Sequence, residues 1–192
     1  MNIKLFFGIV TSLITIYMFM PYFRDIFRKK TQPHVYTWAI WALLQSVGAA
    51  DLFKGGAGYG TIAFVVGSIF CITIFLLSLR FGTKNINKFD LYCLIGAFLA
   101  FLAYLFINDP VYSIILVASI DTIGYFPTFR KTFQEPYSET LSFYALAVLT
   151  NILGTFAIQD YSLTTVLYNV TLFASNGILC LIIIFGRRAV KV

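Results

Sequence analysis

Charged residues cut the chain into seven stretches that carry none: 5–23, 35–50, 55–79, 91–108, 111–120, 140–159 and 161–186. A helix that crosses a bilayer needs about 20 mostly apolar residues, because lipid offers no partner to an unpaired backbone group. Six of these stretches meet or approach that length. The fifth does so if one acid, Asp121, is admitted, which extends it over 111–129. The pattern predicts an all-α membrane protein with seven transmembrane helices. The period-two alternation of a membrane β-barrel is absent. The first stretch follows Lys4 as a leader peptide would, but no small-x-small cleavage site comes after it, and it is longer than a signal core. It reads as a retained helix.

Composition agrees: 59% of the 192 residues are hydrophobic and only 11% are charged, far too few to cover a soluble surface. The formal net charge of +6 raises the question of nucleic acid, but its placement answers otherwise. With seven spans, twelve of the 14 Lys and Arg residues fall on one side, leaving Lys4 and Lys54 on the other. The positive-inside rule then predicts an outside N-terminus and a cytoplasmic C-terminus, in the inner membrane if the cell is bacterial. An even helix count would destroy that segregation. The expected partners are the lipid bilayer and a small-molecule substrate, not nucleic acid; a homo-oligomer is compatible with the sequence. Cys71, Cys93 and Cys180 lie inside predicted spans without metal-ligand spacing and read as small apolar fillers.

The chain also repeats itself. At an offset of 106 residues, 20–48 aligns with 126–154, with seven identities in 29 positions. They include Pro21/Pro127, Phe23/Phe129, Arg24/Arg130 and Phe27/Phe133, an aligned Pro-x-Phe-Arg-x-x-Phe. Trp38/Tyr144 stay aromatic and Gln45/Asn151 stay carboxamides. The predicted helices 1–3 therefore match 5–7, with helix 4 between them. Three helices per unit is odd, so the inserted helix keeps the two units parallel, a known transporter design. The expected units are 1–83, a linker with helix 4 over 84–108, and 109–192.

This 3+1+3 plan, with a proline near the cytoplasmic end of helices 1 and 5 and a basic loop after each, resembles the PQ-loop superfamily. That superfamily includes the SWEET sugar transporters and the lysosomal amino-acid exporters. Where the family places Gln after the proline, this chain has Tyr22 and Thr128, and helices 2 and 6 carry no proline. The phrases Pro-x-x-Arg-Asp and Lys-Thr-x-Pro-His also resemble a group of bacterial seven-helix proteins, a likeness that implies a fold and no substrate. The SWEET resemblance implies a pocket of aromatics on helices 2 and 6 and asparagines on helices 3 and 7, which by position means Trp38, Trp41, Tyr144 and Asn176. Helix 3 offers Ser68, Cys71 and Thr73 in place of the asparagine, so the symmetric amide pair is broken.

Depth gives an independent list. Helix 2 begins near Val35, so Gln45 lies about 15 Å into the bilayer at the α-helical rise. The same arithmetic brings Asn151 and Asn176 near the midplane, with Asp121 slightly to its cytoplasmic side and Thr15 at the same level. Repeat transporters bind their solutes at that depth, between the units; singly, such residues also serve as glue between helices. The candidate substrate-binding residues are thus Trp38, Trp41, Gln45, Asp121, Tyr144, Asn151 and Asn176. Pro21 and Pro127 are candidate hinges, since a proline inside a helix removes a backbone hydrogen bond; the competing reading is that each ends its helix. Arg24 and Arg130 are expected to snorkel to headgroups, and His34, the lone histidine, to be a solvated loop residue. The glycines of 54–60 predict an outer turn.

Asp121 is the only acid well inside a span, and a charge there is costly unless it faces a cavity or a partner. A carboxyl that gains and loses a proton as its cavity faces each side in turn is a coupling device. The alternative is structural glue to Asn151 or Asn176, with Tyr125 in reach one turn on. No catalytic triad, paired carboxylates, phosphate loop or metal-ligand cluster is present, so neither enzyme activity nor a cofactor or metal is expected. The leading expectation is transport of a small polar solute (a sugar, an amino acid or similar) by alternating access, coupled to protons. The alternative is a non-transporting membrane receptor or assembly factor of the same architecture.

Overall fold

Several helix starts follow from their capping residues. The Asp109 carboxylate accepts from the Val111 and Tyr112 N–H groups while Pro110 fills the first helical position, where a missing N–H costs nothing. Asn87 with Asp90, and Ser162 with Thr165, close capping boxes, each satisfying two groups that a helix end leaves unpaired. In the computed structural model, which describes residues 3–54, 61–158 and 160–190, seven helices follow one another. They are α1 (Ile3–Phe27), α2 (Val35–Lys54), α3 (Thr61–Phe81), α4 (Lys88–Tyr104), α5 (Pro110–Gln134), α6 (Leu141–Ala157) and α7 (Leu163–Ala189). The described residues contain no strand.

Helices α1, α5 and α7 are each long and apolar enough to cross a bilayer. Shorter apolar helical stretches occupy Val35–Ala50, Val65–Phe81 and Leu141–Ala157. In space α3 packs against both α1 and α2, and α7 packs against both α5 and α6. Helix α1 lies against α6, α2 lies against α5, and α4 leans on α5 and α2.

The hydrophobic patterning is inverted relative to a soluble bundle. Val65, Ile69, Ile72, Leu76 and Leu79 form an exposed stripe down α3 at spacings of three and four, the periodicity of one helix face. The outer sides of α4 and α7 also expose large apolar side chains, among them Tyr92, Phe98 and Leu99, and Leu181 and Phe185. The core is aromatic: Phe19, Tyr22, Trp38, Trp41, Tyr125, Phe143 and Tyr144 are all buried.

Both prolines lie inside their helices, since α1 continues past Pro21 to Phe27 and α5 past Pro127 to Gln134. Neither is a terminator. Two other expectations need correction. His34 is not solvated but fully buried, because the α1–α2 loop folds inward over α4 and α5, bringing the imidazole Nε2 to 3.3 Å from an Asp90 carboxylate oxygen. Arg130 does not reach outward either. Its guanidinium grips Asp90 with two nitrogens, at 2.8 and 2.6 Å, and bonds the Asn85 side chain and carbonyl. A bidentate pair with a buried acid outcompetes a solvated position. Beyond Lys54, the expected glycine turn lies outside the described residues.

Candidate functional site

A cavity of about 180 Å³ lies among the middle turns of the helices. Six of the residues selected from the sequence line it: Trp38, Trp41 and Gln45 from α2, Asp121 from α5, Asn151 from α6 and Asn176 from α7. Thr15 of α1 and Cys71 of α3 complete the level. Tyr144 is absent from the wall. It is fully buried one to two turns nearer the basic loops, where its hydroxyl donates to Glu139 Oε2 at 3.0 Å. A position carried over by resemblance does not fix the side of the helix a residue occupies.

The aromatic wall has a definite shape. Trp38 and Trp41 meet edge to face with ring centroids 5.0 Å apart, and Trp41 meets Tyr125 edge to face at 4.7 Å. Trp41 and Ile40 come this close to α5 because residue 124 is glycine; a Cβ there would stand 3.1 Å from Ile40 Cγ2 and 3.4 Å from Trp41 Nε1. The Thr37 hydroxyl donates to the Gly124 carbonyl at 2.7 Å and accepts from Thr128 at 2.9 Å, fastening the same crossing. Sequence reading missed Phe19, Phe143 and Tyr168, which also face the cavity. Phe143 was discoverable, being the neighbour of Tyr144 on the face that meets α1.

The polar groups of the wall are unevenly satisfied. Asn151 and Asn176 donate their amide hydrogens to the carbonyls of Ala147 and Leu172 on their own helices, at 2.7 and 2.8 Å. The hydroxyls of Thr15 and Thr150 turn back on their own helices in the same way. Asp121 Oδ2 and Trp41 Nε1, by contrast, are buried without a hydrogen-bond partner. Buried polar atoms are nearly always paired, and one left unpaired costs ~1–3 kcal/mol. No Lys, Arg or His is among the residues that line this cavity.

Beneath the cavity, toward the basic loops, stands a buried network that the sequence did not suggest. Trp38 Nε1 donates to the Tyr22 hydroxyl at 3.1 Å, which donates to Glu139 Oε2 at 3.0 Å. The other Glu139 oxygen takes a 2.5 Å bond from the Lys131 ammonium, which also donates to the Gln32 carbonyl at 2.7 Å. Thr31 and Thr140 share a hydroxyl–hydroxyl bond, and the Gln32 N–H donates to the Ser138 carbonyl. The loop after α1 is thereby tied to the loop after α5. The one advance signal was Glu139 itself, with Glu135 one of two acids following Arg130 and Lys131, and the repeat mate of Pro33. Burial holds the neighbouring His34 imidazole down at about 4; the Asp90 carboxylate opposes this, while Lys131 and Arg130 reinforce it.

A larger cleft of about 850 Å³ opens at the loop end, rimmed by residues of both signs, among them Lys29, Lys30, Glu135 and Arg187. It contains no orphaned buried group, whereas the smaller cavity holds two. Among the described residues, no cluster of three His, Cys, Asp or Glu is arranged to hold a metal ion. Compared with family models, with curated proteins and with solved structures, the chain matches none.

Proposed function

We propose that the chain is a seven-span membrane carrier that moves a small polar solute by alternating access, with the central cavity as its binding site and Asp121 as its proton-coupling group. The observation that carries this is the cavity itself: an acid and a tryptophan, each with a buried polar atom left unpartnered, line one space of about 180 Å³. That volume is below the range of drug-sized pockets and suits a small solute. Groups held unpaired at such a cost are expected to meet a ligand or a proton during the working cycle.

The packing supports two parallel three-helix units in a 3+1+3 arrangement. Exchanging α1 with α5, α2 with α6 and α3 with α7 turns every packing among these six helices into another that exists, and only the contacts of α4 have no mate. The apolar stripe of α3 and the apolar outer sides of α4 and α7 are suited to lipid. The distribution of Lys and Arg favours a cytoplasmic basic end. In this reading the Tyr22–Glu139–Lys131 network is a closed cytoplasmic gate directly below the cavity, and Pro21 and Pro127, both inside helices near that end, are the hinges.

Flux measurements in proteoliposomes, with sugars, amino acids, amines and nucleosides inside or outside, test the proposal. Saturable movement of at least one solute is expected. No flux of any of them, together with stoichiometric co-purification of another membrane protein, overturns it in favour of a receptor or assembly factor.

A further inference from the structure

The cavity wall specifies what kind of solute it takes, an inference that rests on the carrier reading. Part of the donor capacity at the cavity is already used. The amides of Asn151 and Asn176 and the hydroxyls of Thr15 and Thr150 donate to their own helices. Asp121 is the one acid among the lining residues, its Oδ2 buried without a partner, and the other lining polar groups, such as the Gln45 amide and the Tyr125 and Tyr168 hydroxyls, are neutral. An anion finds no lining Lys, Arg or His there and meets a carboxylate. A zwitterion leaves its own carboxylate without a countercharge. A solute that donates hydrogen bonds and carries positive charge satisfies the wall.

The aromatic geometry points the same way. Trp38, Trp41 and Tyr125 form two successive edge-to-face contacts beside Asp121, and a cation within ~6 Å of a ring face is attracted by its quadrupole. We infer that the transported solute is a small organic ammonium ion, held by the Asp121 carboxylate and an aromatic cage of Trp38, Trp41 and Tyr125. The carboxylate then accommodates either the ammonium or a proton, not both. Loading the cation on one side releases the proton there, and the returning site carries a proton back. One positive charge moves each way, so the exchange is electroneutral.

The chain has only two tryptophans, and both line the cavity, so intrinsic fluorescence of the purified full-length protein reports on this site. Three probes of matched size are titrated at neutral pH: cyclohexylammonium, cyclohexanol and cyclohexanecarboxylate. The ammonium is expected to bind at least tenfold more tightly than the alcohol, with no response to the carboxylate. In Asp121→Asn the preference for the ammonium over the alcohol should collapse; the wild-type ratio decides the matter even if that variant does not fold. Equal binding of ammonium and alcohol, binding of the carboxylate, or no response to any probe overturns the inference. The carrier reading fails separately: ammonium binding without flux in proteoliposomes removes it, while flux of a neutral sugar with no ammonium preference keeps it and removes the cation.

Discussion

The Lys131 ammonium lies 2.5 Å from Glu139 Oε1, and neither side chain reaches solvent. The two residues belong to different helical surroundings, the last turn of α5 and the loop before α6, so the bond clamps that loop from within. Each partner also has neutral ligands, Gln32 for the lysine and Tyr22 and Tyr144 for the glutamate. A buried pair survives its desolvation only with such additional bonds.

Removing one partner strands the other. Lys131→Met and Glu139→Gln are each expected to destabilise the protein by about 3–5 kcal/mol, with the double variant losing clearly less than the sum. Thermal unfolding of the four proteins in detergent measures this double-mutant cycle. Additive losses contradict the clamp.

His34 makes stability depend on pH. Its buried imidazole titrates at about 4 rather than 6.5, so folding favours the neutral ring. That contribution is fully present above pH ~6.5 and is lost as pH falls toward 4, reaching at most about 3 kcal/mol at one pKa unit per 1.36 kcal/mol. The groups facing it are Asp90, Lys131 and Arg130. Melting temperatures between pH 7.5 and 4.5 should fall in the wild type and fall much less in His34→Gln. Parallel curves remove histidine as the source.

Gly124 lets α2 approach α5, and its position leaves little space for a larger side chain. Gly124→Val is expected to cost ~1–3 kcal/mol by overpacking and to disturb Trp41, which leans on the same spot. The checks are a denaturation curve and the tryptophan emission maximum. An unchanged emission maximum means that the crossing does not set the indole's position.

Much of this was legible in the sequence, for physical reasons. The seven helices followed from the spacing of charges, and the level of the polar residues followed from a fixed rise per residue. Gln45, Asn151 and Asn176 were found that way, and Asp121 by being an acid where acids are expensive. Tyr144 shows where the method stops. It was selected by the position that the resemblance implied, and its hydroxyl goes to Glu139, a contact neither resemblance nor periodicity reveals. The inward fold of the α1–α2 loop was equally invisible, because His34 and Arg130 are drawn to Asp90 across 56 and 40 residues of chain. Charge in a loop normally signals water; here it signals a buried partner.

Asp121 is the group proposed to couple solute movement to protons. The direct test is uptake into proteoliposomes under an imposed pH gradient, comparing wild type with Asp121→Asn at equal insertion. The gradient is expected to accelerate wild-type uptake severalfold, Asp121→Asn to fold and insert, and the gradient no longer to drive uptake in the variant. Wild-type pH-driven uptake by Asp121→Asn contradicts the coupling role, and loss of folded protein in that variant assigns Asp121 to structural support instead.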